Sequence, residues 1–200
     1  MTIGKLCIEP EALLLLALLY YLDDSGITLW VLLACACHEF GHWWMIHSLG
    51  GQVRQLRLSG KGAELSLSGV HPLSPPQMCL SALAGPMVNL LLAMASIFGA
   101  RHGYGGRLYF FAGLNLGLAG FNLLPISWLD GGKALEGFLC WIGLEEKAQR
   151  ILRGCSDCVV LLLFLLGGVL FLESGGKQFT LLIAGSWMAL ITWRDKNMNG

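Results

Sequence analysis

The sequence carries little charge. Asp, Glu, Lys and Arg make up only 13% of the 200 residues, and they cancel to a formal net charge of zero at pH 7. Soluble globular domains usually contain about twice this charged fraction, so the composition does not fit an ordinary soluble domain. Because the chain has no net basic field, it also lacks the electrostatic footprint of a nucleic-acid-binding protein.

A disulfide framework is missing as well. The seven cysteines are an odd number without regular spacing, whereas disulfide scaffolds have an even number at regular spacings. Cys155 and Cys158 form an isolated C-x-x-C in a charged segment, and we interpret them as a chance pair in preference to a metal or redox pair. The cysteines therefore argue against a disulfide-bonded scaffold.

Apolar residues are abundant instead. The chain is 55% hydrophobic with a mean hydropathy of +0.63. Since a helix needs about 20 apolar residues to cross a bilayer, we predict an all-α polytopic membrane protein with about six transmembrane helices. The first apolar run precedes "DDSG" and no small-x-small cleavage site, so it is predicted to be a retained span. The six runs are Leu6–Leu22, Ile27–Leu49, Gln77–Ala100, Leu108–Leu124, Val159–Leu172 and Phe179–Trp193.

A different pattern covers residues 51–69, "GQVRQLRLSGKGAELSLSG". Apolar and polar residues alternate on both sides of a Gly-rich turn, which predicts a short β-hairpin. The hairpin either lies exposed in the cytoplasm or re-enters the membrane, and the sequence leaves both open. Residues 133–153 combine apolar and charged residues at a rough helical period, which predicts one or two short interfacial helices.

The positively charged residues predict the orientation. In a six-span arrangement, one side holds both termini and the loops at 50–76 and 125–158, and it carries most of the Lys and Arg residues. The opposite side has only Arg101, Arg107 and Lys177. By the positive-inside rule, we predict cytoplasmic termini for an integral protein of a bacterial inner or cell membrane.

The second apolar run contains HEFGH, which fits the pattern H-E-x-x-H. His38 and His42 are one helical turn apart on the same face, so both imidazoles can bind one zinc ion. Glu39 is about 100° from His38 on the helical wheel, where it can take a proton from a water without binding the metal. Ionisable residues inside a span are functional candidates; the alternative is that these three groups only satisfy one another.

Two nearby residues whose side chains are able to bind a metal, His47 and Cys35, are predicted not to be ligands. His47 lies about 140° from His42 on the helical wheel and faces elsewhere. Cys35 is on roughly the same face as His38 and could touch the site, but packing of a small residue is the simpler interpretation.

A catalytic zinc site needs a third protein ligand, and "FNLLPISWLDGGKAL" contains a candidate. Asn122 and Pro125 interrupt the fourth apolar run, and Asp130 follows them. At about 1.5 Å per residue, Asn122 and His42 lie about 9 and 10 Å from the cytoplasmic boundary of a core of roughly 30 Å. This matching depth favours Asp130 as a ligand. Without the H-E-x-x-H motif, the same segment would indicate an ordinary helix end with an exposed aspartate.

Together these motifs resemble the site-2 protease family of zinc intramembrane proteases. HEFGH, "SALAGPMVNLLLA" with its A-G-P-x-x-N element, and N-x-x-P followed by L-D-G-G occur in the family order over about residues 30–135. The resemblance implies that one Zn²⁺ ion is bound by His38, His42 and Asp130, and that Glu39 is the base that activates water.

The same resemblance implies further roles. Asn122, Pro125 and Asn89 match residues linked to substrate positioning, and the 51–69 hairpin corresponds to an element thought to hold the substrate strand. The six-span layout is similar to the sporulation branch of the family. That branch commonly carries a CBS domain and another branch an inserted PDZ domain; we predict neither domain within residues 1–200. Ser127 and Trp128 stand where a second proline is often found.

We therefore predict one integral membrane protease domain over residues 1–200. Its catalytic core covers about residues 27–135, with extra spans at 6–22, 159–172 and 179–193. The predicted function is hydrolysis of a peptide bond in or near a transmembrane segment, in an active site open toward the cytoplasm.

The expected partners are the lipid bilayer and a single-span or membrane-associated substrate protein, with room for a membrane regulator or inhibitor. The oligomeric state is open.

Two alternative functions remain. A metal-ion transporter could use the same three ligands, but Glu39 would then have no purpose. An inactive relative could bind membrane segments, against which the intact HExxH and Asp130 argue.

Overall fold

The computed structural model describes residues 2–3, 6–8, 10, 14, 17–18, 21, 23–59, 62–67, 73–103, 105–177 and 179–198. The chain divides into two compact units, Met1–Asn122 and Leu123–Gly200; the single-domain organisation stays a prediction. The helices are α1 (Ile27–Ser48), α2 (Pro75–Arg101), α3 (Arg107–Asn122), α4 (Asp130–Trp141), α5 (Glu145–Glu173) and α6 (Thr180–Met198). The strands are β1 (Thr2–Ile3), β2 (Leu6–Ile8), β3 (Val53–Ser59) and β4 (Gly62–Leu67).

The helices α1, α2 and α3 lie where the apolar runs predict them, and each begins and ends within two residues of its predicted segment. They pack on one another in the first unit. By length and composition, α2 and α5 are able to cross a membrane, and Thr180–Thr192 is a shorter apolar helix. The chain is therefore largely helical with long apolar segments, and the total of six spans stays a prediction.

The structure places no boundary between the end of the predicted interfacial segment and the predicted fifth span, since both belong to α5. Residues 133–153 were predicted to form interfacial helices apart from a span at 159–172. The structure instead has a short helix α4, and α5 then runs without a break from Glu145 to Glu173. No proline interrupts α5, and Gly154 is tolerated inside the helix, so the charged and apolar parts form one element.

The predicted start of the first span at Leu6 is wrong. Residues Leu6–Ile8 form β2, which pairs in parallel with Leu56–Leu58 of β3. Pro10, Leu14, Ala17, Leu18 and Tyr21 are helical; the remaining positions of the predicted span after Ile8 lie outside the described residues.

The strands form a sheet in the order β1-β2-β3-β4. The strands β3 and β4 are antiparallel, with Leu56 opposite Leu65 and Arg57 opposite Glu64, in the segment for which the sequence predicts a hairpin. Membrane re-entry of this pair stays a prediction. The strands β1 and β2 were not predicted, because two or three residues are too short to show a period-2 pattern.

A polar turn fixes the start of α1. Oδ2 of Asp23 accepts a hydrogen bond from the backbone N–H of Thr28 at 2.6 Å, and Gly26 adopts a positive φ of 72°. The hydrogen bond from Thr28 holds the pKa of the Asp23 carboxyl well below its usual range. An ionised acceptor thus satisfies one of the N–H groups that a helix N-terminus leaves without a partner.

The helices α1 and α2 approach each other closely at Gly41, within HEFGH. An ideal Cβ at this position would lie 2.8 Å from both the carbonyl oxygen of Ala84 and Cγ2 of Val88. Gly41 belongs to the buried stripe of α1, together with His38 and His42. Glycine at this position therefore lets α2 lie directly against the histidine face of α1.

We expect Gly41→Ala to destabilise the protein by about 1–3 kcal/mol, because the added methyl group would overpack the contact. Gly117→Ala in α3 is the matched control, since an ideal Cβ at Gly117 has no atom within 4 Å and alanine favours the helix. Thermal unfolding in detergent micelles compares the two. Equal unfolding temperatures for both variants would contradict a close contact at Gly41.

Candidate metal centre

Two histidines of α1 form the first part of the site. His38 and His42 are buried, with 4% and 8% of their surface exposed. Their rings lie edge to face with centroids 4.8 Å apart, and the two Nε2 atoms are 3.1 Å apart. The spacing of one helical turn thus brings the two potential ligand atoms close together.

The other nitrogen of each ring contacts a carbonyl-type oxygen on α2. Nδ1 of His38 lies 2.5 Å from Oδ1 of Asn89, and Nδ1 of His42 lies 2.7 Å from the backbone oxygen of Ser81. These oxygens only accept hydrogen bonds, so each Nδ1 carries a proton, and in the Nδ1–H tautomer of the ring Nε2 presents a lone pair. Two lone pairs that face each other fit a shared cation.

Asn89 connects His38 to α3. Its Nδ2 donates to Oδ1 of Asn115 at 2.7 Å and to the backbone oxygen of Ala34 at 3.3 Å. Nδ2 of Asn115 in turn donates to the backbone oxygen of Phe111 at 2.8 Å. Both asparagines are fully buried. The predicted role of Asn89 in substrate positioning stays a prediction, since the contacts described are with His38, Asn115 and Ala34.

Asn115 is a residue that the sequence analysis missed. It is a polar side chain inside an apolar helix, and that position is the signal that could have found it.

Gly85, from the A-G-P element, leaves space beside the two Nε2 atoms. An ideal Cβ at Gly85 would overlap Nε2 of His42 and lie 2.8 Å from Nε2 of His38. Any larger residue would fill the volume in front of both ligand atoms. The donor set and this space therefore fit a metal ion.

Asp130 belongs to the second unit, where it is the first residue of α4 and is buried, with 8% exposed. The two glycines after it are needed for close backbone contact. An ideal Cβ at Gly131 would overlap the backbone oxygen of Leu123, and one at Gly132 would overlap the backbone oxygen of Ile126. The D-G-G sequence thus lets the preceding loop fold back on the first turn of α4.

That loop is held by turns and by an apolar anchor. The N–H of Ile126 donates to the oxygen of Leu124 at 2.8 Å, and the N–H of Leu129 donates to the oxygen of Ile126 at 2.9 Å. The side chains of Ile126 and Leu129 are buried in a cluster with Met188 of α6. This packing fixes the backbone that leads into Asp130.

Asp130 is buried, as His38 and His42 are. That these three residues bind one metal ion together stays a prediction.

The positions of the other predicted site residues do not by themselves establish their roles. Glu39 follows His38 on α1 and is half-buried. Asn122 is the last residue of α3, and its Nδ2 donates to the backbone oxygen of Leu118 at 3.0 Å. Pro125 is half-buried in the loop before α4. Their catalytic and positioning roles stay predictions.

His47 and Cys35, which the sequence predicts not to bind the metal, have the following surroundings. His47 is exposed and stacks on Trp43, with centroids 5.6 Å apart and parallel ring planes. Cys35 lines a cavity of about 530 Å³ with residues of α1 and α3, such as Ala34 and Phe121.

The fold and the site define a class of protein, an HExxH metalloprotein built on long apolar helices. The profile of peptidase family M50 matches residues 98–166. A Mycobacterium tuberculosis protein named as a zinc metalloprotease, Rip3, is 30% identical over 189 residues, covering 88% of this chain and 46% of the relative. A zinc metalloprotease of Methanocaldococcus jannaschii is 25% identical over 136 residues, covering 65% of this chain and 39% of the relative.

A solved structure has the same fold. It is a site-2 protease from Methanocaldococcus jannaschii, which superimposes with a TM-score of 0.69 at 19% identity and covers 97% of this chain and 92% of that one. The chain thus resembles the site-2 protease family: residues 98–166 match peptidase family M50, and the fold is that of a solved site-2 protease. It spans less than half the length of the curated relatives it matches.

We expect Asn89→Leu to weaken zinc binding by about 10–100-fold, because outer hydrogen-bond partners orient a histidine ligand. Asn89→Asp is the matched variant, since it keeps the oxygen that accepts from His38 and loses the amide donor. It should retain more zinc affinity than Asn89→Leu. Competition with a chromophoric chelator measures both, and equal affinities for the two variants would contradict a role for the His38 contact.

Proposed function

We propose that the chain is a zinc-dependent intramembrane endopeptidase in which His38, His42 and Asp130 hold one Zn²⁺ ion. The observation that carries this proposal is the buried pair of histidines, whose Nε2 atoms lie 3.1 Å apart beside the space that Gly85 leaves. Two imidazole nitrogens and one carboxylate oxygen are ligands that zinc prefers. Three protein ligands leave a fourth position open, which is typical of catalytic and not of structural zinc sites.

Glu39 is the proposed base. Zinc, when bound, supplies Lewis-acid polarisation of a carbonyl group and lowers the pKa of water to about 7. Glu39 accepts a proton from the attacking water and passes it to the nitrogen of the leaving amine. Its place on α1 next to His38, and its partial burial, support this assignment.

The proposed substrate is a single-span or membrane-associated protein, cut in or near its transmembrane segment. The long apolar helices α2 and α5 support a bilayer location. A helical substrate must unwind to present a peptide bond, and an extended strand could add to the edge of a sheet such as β3–β4. Asn122 and Pro125 would then position the unwound segment at the polar interruption after α3.

The proposed location is a bacterial inner or cell membrane, with cytoplasmic termini and a site open to the cytoplasm. The excess of Lys and Arg on one side of the predicted spans supports this orientation. Protease accessibility of tags at the two ends in inverted and right-side-out vesicles tests it.

We expect Glu39→Gln to lower proteolysis by at least about 100-fold, because it removes general-base catalysis, while zinc stays bound. Glu145→Gln is the matched control, since Glu145 is exposed at the start of α5, and it should cleave like the wild type. The assay co-expresses each variant with a panel of single-span membrane proteins. Cleavage that survives Glu39→Gln would disprove the base assignment.

We expect Asp130→Ala to lose zinc, with affinity reduced by about 100-fold or more, because one of three protein ligands is removed. Asp157→Ala on the exposed face of α5 is the control and should bind zinc normally. Metal content after dialysis is measured by atomic absorption. Full zinc occupancy in Asp130→Ala would refute the third ligand.

A further inference from the structure

A buried serine on α5 contacts the loop that precedes Asp130. Ser156 has no exposed surface. Its Oγ accepts a hydrogen bond from the backbone N–H of Ser127 at 3.2 Å, and it donates to the backbone oxygen of Leu152 at 2.8 Å. The backbone oxygen of Pro125 lies 3.5 Å from the same Oγ, at the limit of hydrogen-bond range.

The two good contacts use different parts of the hydroxyl group. A serine hydroxyl has one hydrogen and two lone pairs. The hydrogen points back along α5 to Leu152, so the lone pairs are free to face the loop and receive the Ser127 N–H. Ser156 thus ties the loop to α5 by a polar contact amid the apolar cluster around Ile126 and Leu129.

Ser127, the loop residue that contacts Ser156, lies three positions before the metal-ligand candidate Asp130. From Ser127 the chain runs through the buried residue Leu129, whose N–H bonds to Ile126, into Asp130. After Asp130, the glycines at positions 131 and 132 allow the first turn of α4 to lie against the backbone oxygens of Leu123 and Ile126. A displacement at Ser127 would therefore be transmitted to the Asp130 carboxylate, because few backbone torsions separate them.

We propose that Ser156 is a positioning residue for Asp130. This inference rests on the proposed function, in which Asp130 binds zinc. Ser156 does not touch the metal or the substrate. It holds the 123–129 loop so that Asp130 is pre-oriented before the ion arrives, and preorganisation of this kind strengthens ligand binding.

A second serine of the same unit provides a matched comparison. Ser186 on α6 makes the same type of contact along its own helix, with Oγ donating to the oxygen of Leu182 at 2.8 Å. It is exposed. Removing its hydroxyl deletes the helical contact without touching the loop before α4.

The test uses the full chain in detergent micelles and measures two quantities for wild type, Ser156→Ala and Ser186→Ala. The first is hydrogen–deuterium exchange of residues 123–133 in zinc-free protein. The second is the zinc dissociation constant by chelator competition. Ser156→Ala should speed exchange at Ser127 by about fivefold, as expected for one lost hydrogen bond, and raise the dissociation constant by about three- to tenfold. Ser186→Ala should change neither.

A conservative variant keeps the proposal testable if Ser156→Ala does not fold. Ser156→Thr retains the hydroxyl and its contact with the preceding turn, so both quantities should stay near the wild-type values. Ser156→Cys is close in size but a weak acceptor, and it should behave like Ser156→Ala. Wild-type exchange and zinc affinity in Ser156→Cys would overturn the proposal.

The two levels of inference fail differently. If Asp130→Ala binds zinc like the wild type, the proposed ligand set fails, whatever the exchange data give for the loop. If Asp130→Ala loses zinc but Ser156→Ala changes neither exchange nor affinity, the ligand set stands and the positioning role of Ser156 is overturned.

Discussion

The hydrogen bonds between the Nδ1 atoms of His38 and His42 and oxygens on α2 are the constraint on which the site depends. In an apolar interior a polar nitrogen without a partner is costly. Satisfying each Nδ1 from α2 leaves each Nε2 as a lone pair, and the two Nε2 atoms meet 3.1 Å apart. This geometry requires close contact between α1 and α2, and glycines at positions 41 and 85 allow it by leaving room that a Cβ would fill.

The polar network around Asn89 extends this constraint to α3. Its amide accepts from His38 and donates to Asn115, so the ring orientation depends on three helices together. A buried network is stabilising when every member is satisfied. In this one the amide donors of Asn89 and Asn115 end on the backbone oxygens of Ala34 and Phe111. Buried polar groups of the network are thus paired within the three helices.

Asp130, the proposed third ligand, is positioned differently. The histidines share a face of a regular helix, whereas Asp130 owes its position to a folded loop, two glycines and an apolar anchor. A carboxylate at the first position of a helix is also favoured by the positive end of the helix dipole. The histidine pair thus depends on helix periodicity, whereas the position of Asp130 depends on loop packing within its own unit.

The sequence by itself determined the membrane class, the bounds of α1 to α3 and the pairing of His38 with His42, because apolar run length and helical period are local properties. It also indicated Asp130, since depth along a helix can be counted. Tertiary structure alone decided that Asn115 supports Asn89, that Ser156 contacts the loop before Asp130, that α5 continues through its charged half, and that Leu6–Ile8 is a strand. A single polar residue in an apolar helix has no periodic signal. Its partner lies on another element, and only packing brings the two together.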